Sequence, residues 1–139
     1  MGLTEKDVDN VRDALAEWKP GRLASEKSYE DSAYAYLNKS FARDKFERQY
    51  SRGKTRADIY VSFKDGATVA IELKYAIKDR AEYHRLLGQI YEYVSEWSVE
   101  VLVVLCGDND PALVKNIDGY VRFMKDNAGR KVRLIVVAE

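Results

Sequence analysis

Three side chains in two neighbouring segments have the types and spacing to do chemistry. Asp58 lies in Ala57-Asp58-Ile59-Tyr60-Val61-Ser62-Phe63, and Glu72 and Lys74 lie in Thr68-Val69-Ala70-Ile71-Glu72-Leu73-Lys74-Tyr75. Both segments are rich in β-branched and aromatic residues, with apolar residues at alternate positions, and read as β-strands. In the second, Val69, Ile71, Leu73 and Tyr75 point one way, so Glu72 and Lys74 share the other face. In the first, Ile59, Val61 and Phe63 point one way and Asp58 shares its face with Tyr60 and Ser62. Lys64-Asp65-Gly66 separates them. A three-residue hairpin loop with glycine in the left-handed region puts Asp58 directly opposite Glu72. A two-residue Asp65-Gly66 turn shifts the register by one and sends the carboxylates to opposite faces. Only the first register gathers two carboxylates and an ammonium at one spot.

Two carboxylates a few ångströms apart repel, so the pair is costly unless a cation or a shared proton offsets it. Oxygen ligands alone suit Mg²⁺ or Mn²⁺, which take one or two carboxylates together with waters and substrate phosphate. A lysine one strand-step from a ligand can steer, or help deprotonate, a water aimed at phosphorus. The bland alternative is a surface hairpin with a Glu-Lys pair on its wet face, because E-x-K alone is a weak motif.

Asp58 at the start of one strand and Ile71-Glu72-Leu73-Lys74 in the next resemble the signature of the PD-(D/E)XK nuclease superfamily. Ala57 stands where the family has proline, a departure that alters no ligand. The order of elements fits over most of the chain. The resemblance implies an α/β, restriction-endonuclease-like fold: helix, three antiparallel strands, helix, strand, helix, strand, with a central mixed sheet flanked by helices. It implies metal-dependent phosphodiester cleavage, with DNA as the expected substrate and Mg²⁺ or Mn²⁺ as cofactor. The metal would bind Asp58, Glu72 and the Leu73 carbonyl, and Lys74 would activate the attacking water. The family often adds an acidic ligand from the preceding helix; Glu30 is the preferred candidate and Glu26 the other.

The elements that must position these residues are legible in turn. A first helix runs from about Thr4 to Trp18, with Val8, Val11, Leu15 and Trp18 on one face and Pro20-Gly21 as its stop. It precedes the family core, so residues 1–22 form an N-terminal appendage to a single 1–139 domain. A second helix begins near Ser25 or Ser28 and ends about Phe41, with Ala33, Tyr34, Leu37 and Phe41 as its buried stripe. Lys45 to Arg52 is the first strand, with Phe46, Arg48 and Tyr50 alternating against Glu47 and Gln49. After the motif strands, a helix runs from Lys78 or Asp79 to about Trp97. Gln89 and Tyr93 lie just off its core stripe, and Q-x-x-x-Y at this place resembles a RecB-like feature of the superfamily found beside the active site. An amide and a phenol can bond phosphate or orient the lysine without adding charge. Val99 to Cys106 is a buried central strand, Asp110-Pro111 opens a helix that ends at Asn127-Ala128-Gly129, and Lys131 to Ala138 is the last strand.

The chain has 139 residues, enough for one real core, and its formal net charge is zero. Zero net charge argues mildly against binding nucleic acid through overall charge. The distribution is more telling: Arg43, Lys45, Arg48, Arg52, Lys54 and Arg56 face only Asp44 and Glu47 in the stretch leading into Asp58. Such a strip suits a phosphate backbone, with Arg52, Lys54 and Arg56 as the best contacts and Arg85 and Tyr93 beyond. A solvated strand edge is its plainer reading. His84 is the only histidine and Cys106 the only cysteine. This removes H-N-H, HD and H-E-x-x-H chemistry, an intramolecular disulfide framework and a Cys-cluster zinc site. With no membrane-length apolar run and no signal-type start, the expectation is a cytoplasmic protein without a membrane partner. Specificity would come from the core, the first helix or a second protomer in a homodimer. The competing reading is a catalytically inactive nuclease-fold module that binds nucleic acid or a protein.

Overall fold

The computed structural model describes residues 3–42, 44–63, 66–128 and 132–137, and the side chains of 8–127 and 132–137 within them. Helices α1 (Leu3–Glu17) and α2 (Glu26–Ser40) precede strands β1 (Lys45–Arg52), β2 (Thr55–Ser62) and β3 (Thr68–Tyr75). Then come α3 (Arg80–Glu92), a π-helical turn (Tyr93–Trp97), β4 (Glu100–Cys106), α4 (Pro111–Ala128) and β5 (Val132–Val136). The strands form one sheet in the order β1-β2-β3-β4-β5, antiparallel from β1 to β3 and parallel from β3 to β5. This is the mixed sheet flanked by helices that the sequence led us to expect. The Val99–Cys106 segment is the fourth of five strands, buried along its length because helices cover both faces.

Alternation sorts the strand residues between two cores. Ile59, Val61, Val69, Ile71, Leu73, Leu102 and Val104 pack with α1 and α2. Tyr60, Ala70, Val101, Val103 and Leu105 pack with α3, the π-helical turn and α4. Helix ends follow local chemistry. Ser25 caps α2 by accepting the Ser28 N–H, and Asp79 caps α3 by accepting that of Glu82. Asp110 does the same for Ala112 at the start of α4, where Pro111 has no N–H to satisfy.

The first helix packs on the body, with Val8, Val11, Leu15 and Trp18 all buried in the core shared with α2 and β5. Two expectations need correction. The helix after β3 does not continue as α-helix to Trp97: it loosens into the π-helical turn at Tyr93, and Val99 N–H reaches back to the Tyr93 carbonyl. Phe46, Arg48 and Tyr50 do not share one face. Phe46 belongs to the α1/α2 core and Tyr50 packs against the other, because Gln49 between them has φ of +51°.

Candidate active site

The β2–β3 pairing decides the register left open above. Val61 pairs with Val69 and Ile59 with Ile71, and Phe63 N–H donates to the Ala67 carbonyl. The connection therefore spans 64–66, and Gly66 takes φ of +95°. Lys64 and Asp65 themselves lie outside the described residues. This register runs Asp58 opposite Glu72, but the ladder stops one pair short at Ile59–Ile71. Where it stops, the Asp58 carboxylate replaces a strand carbonyl and accepts the Leu73 N–H at 2.8 Å. Lys74 Nζ lies 3.3 Å from Glu72 Oε2. Both carboxylates and the lysine line one cleft of about 350 Å³ with Glu26, Gln49, Lys54, Thr55, Arg56 and Gln89.

Both acids resist ionisation. Glu72 is 2% exposed, and burial raises its pKa; Lys74 and the Tyr93 hydroxyl offset part of that rise. Asp58 is pushed up to about 8, first by burial and then by the Glu72 charge, with the Leu73 N–H pulling the other way. The Tyr93 hydroxyl lies 2.6 Å from Glu72 Oε1 and 2.9 Å from the Arg56 carbonyl. Its single proton serves one acceptor at a time, and donated to Glu72 it favours the ionised carboxylate, as does Lys74. A buried carboxylate pair in this state gains from a cation that offsets both charges.

The donor set fits a hard divalent ion. Among the described residues no group of three or more His, Cys, Asp or Glu side chains converges, which disfavours a zinc-type cage. Two carboxylates with a neighbouring backbone carbonyl suit Mg²⁺ or Mn²⁺, which keep several waters. Gln89 Oε1 is buried with no hydrogen-bond partner, an acceptor left for a group that enters the cleft.

The other candidates divide. Lys54 and Arg56 line the cleft, whereas Arg52 does not: its guanidinium lies over the Tyr50, Tyr60 and Trp97 rings and donates to the Tyr60 hydroxyl at 2.8 Å. Arg52, itself exposed, thus stands over an aromatic cluster beside the cleft rather than lining it. Tyr93 is fully buried, so it holds Glu72 rather than touching nucleic acid. Arg85 is exposed on α3, one turn before Gln89 and so on the same side of the helix. Arg43 lies outside the described residues, and Arg48 is paired with Glu30 and Asp31.

Of the two α2 carboxylates, the cleft with Glu72 and Lys74 holds Glu26, not the preferred Glu30. Both Glu30 oxygens are occupied, Oε2 by Arg48 Nε and Nη2 at 2.9 and 2.6 Å and Oε1 by Gln49 Nε2 at 2.7 Å. Glu30 faces an adjoining hollow of about 510 Å³ that shares Glu26, Gln49 and Asp58 with the cleft. Sequence reasoning missed Gln49. Its helix-neutral, strand-neutral type gave no signal, and its unusual φ is invisible in a single chain.

No protein-family model matches the chain, and no curated protein matches it in sequence. Among solved structures it is similar to EndoMS in complex with double-stranded DNA, at 17% identity and a TM-score of 0.47 over 86% of this chain and 48% of that one. It is also similar to a repair endonuclease from Pyrococcus abyssi, at 15% identity and 0.43 over 84% and 49%. A third is the restriction endonuclease PspGI with substrate DNA, at 15% identity and 0.35 over 96% and 85%. The chain spans about half the length of the first two. No described helix is long and apolar enough to cross a membrane.

Proposed function

We propose that this protein is a metal-dependent nuclease that hydrolyses phosphodiester bonds, with DNA as the expected polymer from the resemblance of its motif. The observation that carries the reading is the meeting of Asp58, Glu72 and Lys74 in one cleft at the point where β2 and β3 part. Asp58, Glu72 and the Leu73 carbonyl would hold Mg²⁺ or Mn²⁺, with Glu26 nearby to bond its waters. The ion supplies Lewis acidity to a phosphoryl oxygen and makes water more acidic.

The chain's own residues do the rest. Lys74, anchored on Glu72, sets a positive charge beside the attacking water and the phosphoryl oxygens, where negative charge grows in the transition state. Gln89 Oε1 accepts a hydrogen bond from that water or from the lysine, fixing its direction. Tyr93 keeps Glu72 from swinging. Lys54 and Arg56 bind flanking phosphates and fix the strand in register with the cleft.

The test is incubation of the purified protein with plasmid and single-stranded DNA plus Mg²⁺ or Mn²⁺, with Asp58→Ala as control. Cleavage by the wild type alone, abolished by chelation, is expected. Wild-type protein that binds DNA and leaves it intact with either metal would show a binding module on a nuclease fold.

A further inference from the structure

The geometry points to Gln49 as a positioning residue for Asp58, locked in place by Glu30 and Arg48. The assignment rests on the nuclease reading above and deepens it. Gln49 sits mid-strand at φ of +51°, in the left-handed region that side chains other than glycine, asparagine and aspartate rarely adopt. The register pairs Arg48 with Ile59 and Tyr50 with Ala57, and skips Gln49 and Asp58 between them. The two strands are kinked together at that skipped pair.

Facing makes the kink explicit. Residues two apart on a strand normally share a face. Here Arg48 reaches Glu30 of α2, while Tyr50 packs with the α3/α4 core. Across the ladder Ile59 lies in the α1/α2 core and Ala57 in the other. Both strands change faces at one level, so Asp58 leaves the regular alternation. Its carboxylate then lies close enough to β3 to accept the Leu73 N–H and to sit beside Glu72.

A left-handed residue is strained and persists only where its surroundings over-determine it. Two successive β1 side chains supply that constraint. Gln49 donates to one oxygen of Glu30 and Arg48 grips the other through two nitrogens, while Glu30 is only 6% exposed. Bonds to an ionised carboxylate are among the strong ones. Helix α2 thus holds the kink, and the kink sets the position of Asp58.

The experiment measures binding of Mn²⁺ alone by calorimetry, melting of the metal-free protein, and kcat and KM on DNA, for the wild type, Gln49→Gly and Glu30→Gln. Glycine accepts positive φ but cannot bond Glu30; glutamine at 30 keeps the shape and loses the charge. Gln49→Gly should melt cooperatively, bind Mn²⁺ about 10-fold or more weakly, as for other residues that orient ligands, and lose kcat with KM kept. Glu30→Gln should shift in the same direction by less. Wild-type Mn²⁺ affinity in Gln49→Gly, whatever its melting temperature, would overturn the assignment and leave the nuclease reading standing. Should Gln49→Gly not fold, Glu30→Gln decides by the same affinity. A wild type that binds no Mn²⁺ would overturn both.

Discussion

The two ends of the β2–β3 hairpin are made from the same strands, yet they do opposite things. Toward Gly66, Val61 pairs with Val69 and Tyr60 with Ala70, and every inward side chain is apolar or aromatic. There the ladder occupies the backbone groups and packing supplies the stability. At the other end the ladder stops, a carboxylate takes the place of a carbonyl, and three ionisable side chains crowd a cleft with raised carboxylate pKa values. Parting of the strands frees the Leu73 backbone for side-chain and ligand contact, and places buried charge where a cation can offset it. One end keeps the fold; the other holds two carboxylates with raised pKa values in an open cleft.

Exchanging one substitution at each end gives the largest expected contrast. Ile71→Ala opens a cavity at a fully buried position of the paired half, costing about 2–5 kcal/mol, while the folded fraction still cleaves. Asp58→Ala should keep the protein folded and lower cleavage by about 10²–10³-fold or more. Thermal melts and initial rates on the same preparations separate the two. Cleavage by Asp58→Ala at the wild-type rate would remove the distinction.

Lys74→Ala comes next. Lys74 is not among the proposed metal ligands, so the melting temperature and Mn²⁺ affinity should stay near those of the wild type. Turnover should drop by about 10²-fold, the scale of a positioned proton-transfer group. An unfolded or fully active Lys74→Ala protein contradicts the role.

Acid–base behaviour should also differ between the ends, because the open one holds a carboxyl with a strongly raised pKa. Asp58 has its folded pKa raised from 3.8 to about 8, so between those values the folded chain binds a proton that the unfolded chain releases. This contribution to stability is whole below 3.8 and is lost as pH rises through about 8, at up to about 1.4 kcal/mol per pH unit. Urea unfolding of metal-free protein should therefore show lower stability at the alkaline side of that window. Asp58→Asn keeps an acceptor for the Leu73 N–H and should flatten the trend, as should saturating Mg²⁺. A wild-type profile indistinguishable from Asp58→Asn would refute the raised carboxylate.

What the sequence revealed follows the same division. The paired half was legible because alternation and a glycine loop are local signals: Val69-Ala70-Ile71 marked the strand, and Gly66 left two registers between which the pairing decides. Asp58, Glu72 and Lys74 were legible as residue types at a known spacing. Tyr93 was found by motif and misjudged in role, since its burial depends on a π-helical turn that no local residue announces. Arg52 and Glu30 were misplaced for a common reason. A charged residue in a sequence shows its charge but not its partner, and here Arg52 lies against three aromatic rings and Glu30 under Arg48 and Gln49.

That lesson yields the smallest effect and tests the rim of the open end. The strip before Asp58 divides into Lys54 and Arg56, which line the cleft, and Arg52, which lies on the Tyr50–Tyr60–Trp97 cluster. Each cation that meets a phosphate of duplex DNA releases counterions and adds about 0.9 to the slope of log affinity against log salt. Lys54→Gln with Arg56→Gln should therefore reduce the slope by about two such increments, weaken binding across sequences alike, and leave the melt unchanged. Arg52→Gln should lower the melting temperature slightly, since cation–π contacts at an exposed site contribute about 0.5–1 kcal/mol, and leave the slope where it was. Salt titrations of fluorescent-DNA binding alongside thermal melts read both quantities. If Arg52→Gln flattens the slope and the double variant does not, the phosphate track runs over the aromatic cluster, and the strand enters the cleft from the β1 edge rather than along Lys54 and Arg56.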